Sequence, residues 1–288
     1  MKNNLTLKLS IVLAAFVALV FINGCGSSME ILSKWKTQNI TIDGKNTEWE
    51  GGVYLKDANA VLNLYNDATY IYLGIISSDR QLARKIIMNG FTVWLDRNGN
   101  EDKDFGIHYP LGAMNQDMPI PMQGEEEAGD RPEKMGNPEQ MDELFMKGLT
   151  EYEIMGKGGK PESRMQILEK NGIEVKIGRA DDKFVYELKM PMKIFGDILY
   201  AVGTDTGKTI SLGFETGTID PEKMKSKMGP GKKGERGREQ EGNEMGDNSQ
   251  MGAGAMGGGR PPAGGMGRNS DMQKAVTFWA KARMASVK

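Results

Sequence analysis

Two short runs rich in β-branched and aromatic residues, 61–65 and 70–76, stand on either side of the turn formers Asn66 and Asp67. Their Val, Leu, Tyr and Ile residues are spaced to bury one face and half cover the other, the condition of strands in two packed sheets. The texture recurs at hairpin length in QNITID, GFTVWLDRNGN, SRMQILEK, GIEVKIGR, KFVYELKMP, IFGDILYAVGT and KTISLGFETG. Asp43 with Gly44, Asn171 with Gly172, and residues 180–182 supply turns between such runs. Many short strands punctuated in this way predict an all-β chain, a two-sheet antiparallel β-sandwich. Residues 79–89 read as a short helix or an irregular connection.

Two stretches interrupt the pattern. Residues 112–160 are rich in Pro, Glu, Met and Gly and make poor strand material, so they read as an excursion. One helical piece is expected in PEQMDELFMKGLTEYEIM, opened by Pro138 and striped by Met141, Leu144, Phe145 and Leu149. Residues 221–270 hold many glycines and hardly any large apolar side chain, so burial there cannot offset the entropy of ordering. The chain carries 38 Gly and 21 Met, and much of the glycine excess belongs to this tract. Beyond it, Val276, Phe278 and Ala280 alternate with Thr277, Trp279 and Lys281, which predicts a closing strand over 275–285. One domain over 38–288 with two insertions is the implied plan.

The amino terminus has a different character. Lys2 and Lys8 precede twelve consecutive apolar residues, 11–22, which have the basic and apolar parts of a secretion signal. Twelve helical residues span about 18 Å, short of a bilayer core of roughly 30 Å. Ile22, Asn23, Gly24 and Cys25 resemble the lipobox of bacterial lipoproteins. That resemblance implies a signal peptide over 1–24, diacylglyceryl and palmitate-type acylation at Cys25, and a linker over 25–37. The residue after Cys25 is Gly26, not Asp, which resembles a signal for passage to the outer membrane. A lipid-anchored protein of the bacterial cell envelope, facing the periplasm or the cell surface, is expected. Cys25 is the chain's one cysteine, so intrachain disulfides are excluded. A formal charge of -2, from 37 basic and 39 acidic residues, gives no sign of a nucleic-acid partner.

The order of ITIDGKNTEW, YNDATYIYLGI, GFTVWLDRNGN, YELKMP and AVTFWAKARM resembles the carbohydrate-binding module family 9-like domains, relatives of the DOMON sandwich. The residues that carry it are Ile42, Asp43, Gly44, Glu48 and Trp49; Asn66, Asp67, Tyr70, Tyr72 and Leu73; Gly90, Trp94 and Asp96; and Glu187 with Pro191. The resemblance covers roughly residues 38–111 and 170–220 and the final strand. It implies a sandwich that binds sugars; relatives also include haem binders and proteins without a known ligand.

Sugar recognition needs a flat exposed aromatic flanked by hydrogen-bonding groups, and Trp94, Trp49, Tyr109 and Trp279 are the candidates. In DRNGNEDKD, oxygen side chains alternate, and Asp96, Asn98, Asn100 and Asp102 are the candidate ligands of a Ca²⁺ ion; a plain solvated turn is the competing reading. Gly99 stands at the fourth position and Ile107 at the twelfth, so the EF-hand pattern fails. His108 is the only histidine, which excludes multi-imidazole zinc sites and leaves haem ligation as a minor reading. Met114, Met118, Met122, Met251, Met256 and Met266 suggest copper as another. No G-x-S-x-G or phosphate-loop pattern is present, so a binding protein is expected and not an enzyme. The expected partners are a carbohydrate or envelope polymer, membrane lipid through Cys25, or, in the second reading, an envelope protein contacted by an interaction module.

Overall fold

A computed structural model describes residues 29–113, 116, 146, 148–218 and 274–287. Cys25, Met114, Met118, Met122, Met251, Met256 and Met266 lie outside them, as does most of the expected helix behind Pro138. Thirteen strands are described: β1 (Met29–Leu32), β2 (Lys34–Trp35), β3 (Val53–Leu55), β4 (Ala60–Asn66), β5 (Tyr70–Ser77), β6 (Phe91–Asp96), β7 (Gly106–His108), β8 (Glu151–Gly156), β9 (Lys160–Gln166), β10 (Glu174–Ala180), β11 (Lys183–Pro191), β12 (Thr209–Thr216) and β13 (Thr277–Arg283). One sheet runs β1-β13-β12-β6-β7-β8-β9; the other runs β10-β11-β5-β4-β2, with β3 also on β4.

Alternation builds this arrangement. Ile210, Leu212 and Phe214 of β12, Val93 and Leu95 of β6, and Ala280 and Ala282 of β13 turn inward from the first sheet. Leu62 and Leu64 of β4, Ile71, Leu73 and Ile75 of β5, and Tyr186 and Leu188 of β11 meet them from the second. Burying each Val, Leu, Ile or Phe among them contributes about 1.5–3 kcal/mol, which makes this two-layer core the main source of stability. The expected turns are where the sequence puts them. Asp67 Oδ1 accepts from the Thr69 and Tyr70 amides at 2.8 and 2.7 Å, and Asp181 and Asp182 close the β10–β11 hairpin with φ of 49° and 59°.

Residues Arg80–Asn89 form a helix, α1, resolving the alternatives left open for that segment. Asp79 caps it by accepting from the Gln81 and Leu82 amides, and Gly90 ends it at φ 94°. Leu82, Ala83, Ile86 and Ile87 bury its inner face against the core. Among the described residues no helix is long and apolar enough to cross a membrane.

Four expectations need correction. The sheets are mixed and not purely antiparallel, because β1 runs parallel to β13 and β2 parallel to β4. The stretch 25–37 is not all linker: Ile31 is 2% exposed within β1. The 112–160 excursion ends sooner than expected, since β8 occupies 151–156, where Tyr152 and Ile154 point inward and Glu151 and Glu153 outward, a period of two in place of a helical stripe. The segments 39–42 and 194–204 carry no described strand.

Candidate functional site

On the outer face of the seven-stranded sheet, the inward parity of β13, β12 and β6 forces three rows outward. They read Lys281–Ser211–Asp96, Trp279–Gly213–Trp94 and Thr277–Glu215–Thr92. Gly213 sits at the centre. A Cβ there would stand 2.6 Å from Cη2 and Cζ3 of Trp279, so the indole lies directly on the glycine. Glycine inside a strand marks such a close approach.

The groups beside Trp279 are polar and mutually paired. Trp94 Nε1 donates to Glu215 Oε2 at 2.9 Å, and Lys103 Nζ approaches the same oxygen at 2.7 Å and stands 5.8 Å from the Trp94 ring. Thr277 is exposed, Trp279 and Lys281 are half-buried, and the Glu215 side chain keeps about a quarter of its surface open. An aromatic plane bordered by a carboxylate, an ammonium and a hydroxyl offers both apolar contact and directional hydrogen bonds.

Of the four candidate aromatics, only Trp279 retains open surface. Trp94 is 3% exposed, covered by Lys103 and laid over Gly106. Tyr109 lies between the sheets against Tyr186, and burial pushes its hydroxyl above the ordinary tyrosine range. Trp49 lies on the outer face of the other sheet over Gly74 and donates through Nε1 to Glu187 Oε1 at 2.7 Å. Trp49, Trp94 and Tyr109 therefore present no platform: cross-strand packing claimed their flat surfaces.

The opening Ile42–Trp49 segment has a structural task. Gly44 stacks on Gly178 of β10, and its amide donates to Glu187 Oε2. Glu187 is fully buried on β11; desolvation raises its carboxyl above the ordinary value, and the Trp49 and Gly44 donors oppose that. Asp43, Glu48 and Glu187 bring one ligand atom each within 4.8 Å of the others. Both Glu187 oxygens are engaged, and Lys45 Nζ pairs with Asp43 at 2.8 Å.

The candidate calcium turn is organised from within. Asp96 is 3% exposed; Oδ1 accepts from the Asn98 amide at 2.8 Å, and Oδ2 from the Asn100 and Asp102 amides at 2.6 and 3.3 Å. Asn98, Asn100 and Asp102 themselves are exposed. The turn is thus folded around the carboxylate by backbone donors. His108 lies farther along the Thr277 row: its Nδ1 is 3.3 Å from Glu153 Oε2, and Nε2 packs against Gly90. His108 first, with Arg164, holds the Glu153 carboxyl down to about 2 against an opposing desolvation effect.

Sequence reasoning missed Gly213, Glu215 and Lys103. The signal for Gly213 was present in SLGFET, where a glycine interrupts an otherwise bulky strand.

No protein-family model matches the chain, and no curated protein does. Among solved structures, the chain is similar to a carbohydrate-binding module family 9 protein from Caldicellulosiruptor kristjanssonii in complex with glucose, at 11% identity over 67% of this chain and 81% of that one, with a TM-score of 0.29. The same module in complex with cellotriose is similar at 10% identity over 67% and 79%, also with a TM-score of 0.29.

Proposed function

We propose that the chain is a non-catalytic carbohydrate-binding protein, held on the outside of a bacterial membrane by an acylated Cys25. One observation carries the binding reading: Trp279 lies on Gly213 and keeps part of its surface open, beside the Glu215–Lys103 pair. A sugar ring stacks its C–H face on such an indole while its hydroxyls exchange hydrogen bonds with carboxylate, ammonium and Thr277. Binding is favoured over catalysis because the acidic and basic groups nearby neutralise one another, and Glu153 stays ionised at any physiological pH. The anchor reading rests on the apolar run 11–22 followed by Asn23, Gly24 and Cys25.

The test is a glycan array followed by titration calorimetry on the purified lipoprotein, with glucose and cello-oligosaccharides as the first probes. Trp279→Ala is expected to weaken binding at least about tenfold, equivalent to 1.4 kcal/mol, while the protein stays folded at the assay temperature. Absence of any glycan affinity, together with recovery of a stoichiometric envelope protein, would overturn the reading in favour of a protein-interaction module. Mass spectrometry of the mature amino terminus reads the acylation separately.

A further inference from the structure

One end of the sandwich gathers apolar side chains that stand exposed among the described residues. Ser33 donates its amide to the Arg283 carbonyl at 3.0 Å, Asn66 Nδ2 to that of Ala285 at 3.1 Å, Met192 N to that of Thr69 at 2.8 Å, and Gly207 N to that of Met284 at 3.0 Å. These bonds bring residues 32–36, 66–69, 192–208 and 283–287 to one tip. Leu32, Ile194, Leu199 and Val287 are 74, 69, 71 and 70% exposed there, and Phe195 is 41% exposed. Five of the eight large apolar side chains exposed among the described residues therefore share this tip. Scattered exposed apolar residues are ordinary, whereas a cluster marks an interaction surface.

The exposure is built into the tip. Within the 192–200 loop, Ile198 tucks against Gly172, its amide donates to the Phe195 carbonyl at 3.0 Å, and Phe195 meets Tyr70 edge-on at 5.9 Å. That anchoring fixes the loop while leaving Ile194 and Leu199 outward. Around them the same segments carry Lys34, Lys36, Lys193, Lys208 and Arg283 against Asp67, Asp197 and Asp205. Asp67 is paired with Lys36 and Asp205 with Lys193. The acidic β6–β7 turn stands at the same end of the first sheet, where Arg97 packs against Gly203, so the charge of this end as a whole is mixed.

We propose that this tip docks on a phospholipid bilayer, with Ile194, Phe195 and Leu199 entering the headgroup boundary and Lys208 and Arg283 meeting lipid phosphates. The proposal adds a second membrane contact and rests on the acylated Cys25 for delivery to the bilayer. The lengths agree. Cys25 precedes Met29 by four residues, at most about 14 Å of chain, and Met29 lies three residues, about 10 Å, from the tip at Leu32. Acyl chains and tip thus reach the same membrane.

The experiment uses the full lipidated chain in vesicles of phosphatidylethanolamine and phosphatidylglycerol. Cys25 is the only native cysteine, and a thioether-linked lipid blocks it, so Leu199→Cys takes a single environment-sensitive fluorophore. The label is expected to shift to the blue and brighten on reconstitution, whereas one at Tyr54→Cys, exposed on β3 beside the opposite end of β4, is not. An unshifted Leu199 label on vesicle-bound protein overturns the proposal, as does a shift without vesicles that accompanies a doubled mass, which assigns the tip to a second copy. Labelling of the unsubstituted chain would instead sink the anchor reading. In that event vesicle flotation of the unlipidated protein decides the tip: flotation lost in Ile194→Ser/Leu199→Ser supports it, and none in the parent overturns it.

Discussion

Of the three glycines that sit under tryptophans, Gly74 and Gly213 are expected to differ in their alanine variants. A Cβ on Gly74 would stand 2.6 Å from Cδ2 of Trp49 and 2.8 Å from Cε2 and Cε3; one on Gly213 would stand 2.6 Å from two Trp279 atoms. Carbon contacts favour about 3.5–4.0 Å, so either ring must move by roughly 1 Å. Trp49 is 6% exposed and tied to Glu187 by a 2.7 Å bond, so moving it stretches a hydrogen bond to a buried carboxylate. Losing that bond costs about 1.5–3 kcal/mol and overpacking about 1–3 more, giving an expected loss of about 3–6 kcal/mol for Gly74→Ala. Trp279 can swing outward, and replacing a strand glycine recovers about 0.5–1 kcal/mol, so Gly213→Ala should stay within about 1 kcal/mol of the parent. Urea titration followed by tryptophan fluorescence measures both. Equal losses in the two variants, or a Gly74→Ala change below about 1 kcal/mol, would refute the reasoning.

Other outcomes follow from the same geometry. Glu153, held near 2 where an unfolded glutamate titrates near 4.5, contributes on the order of 3 kcal/mol above pH 4.5, lost as pH falls through 2. Glu153→Gln should flatten stability against pH in that window, read by acid titration of the unfolding free energy. Asp96→Ala strips the acceptor from three backbone amides, and about 2–4 kcal/mol of stability should go with it, visible in urea titration. Ile31→Ala should cost about 2–5 kcal/mol in the same assay, whereas a residue in a true linker would cost nothing. Gly213→Ala, although stable, should weaken glycan binding in calorimetry by tilting Trp279.

Residues 61–77 were legible because both strands are long, adjacent and joined by a turn with an unambiguous Asp. β1 and β2 escaped notice because four- and two-residue strands carry too little alternation, and their parallel pairing needs partners far along the chain. At 151–156 the period of two was present, but a neighbouring apolar spacing suggested a helix. Trp49, Trp94 and Trp279 are alike as letters. Their fates diverge through glycines on adjacent strands, through Lys103 over one ring and through Glu187 beside another, relations that only the assembled sheets create.

The position of β13 bears on biogenesis. It fills the gap between β1 and β12, so the earliest and latest described strands are bonded neighbours. The seven-stranded layer cannot be completed until residues 277–283 emerge from whatever machinery makes or moves the chain. Contacts so distant along the sequence form slowly. A polypeptide of this topology is slow to lock into its native state while still being synthesised, and a threadable chain is what a translocation channel accepts.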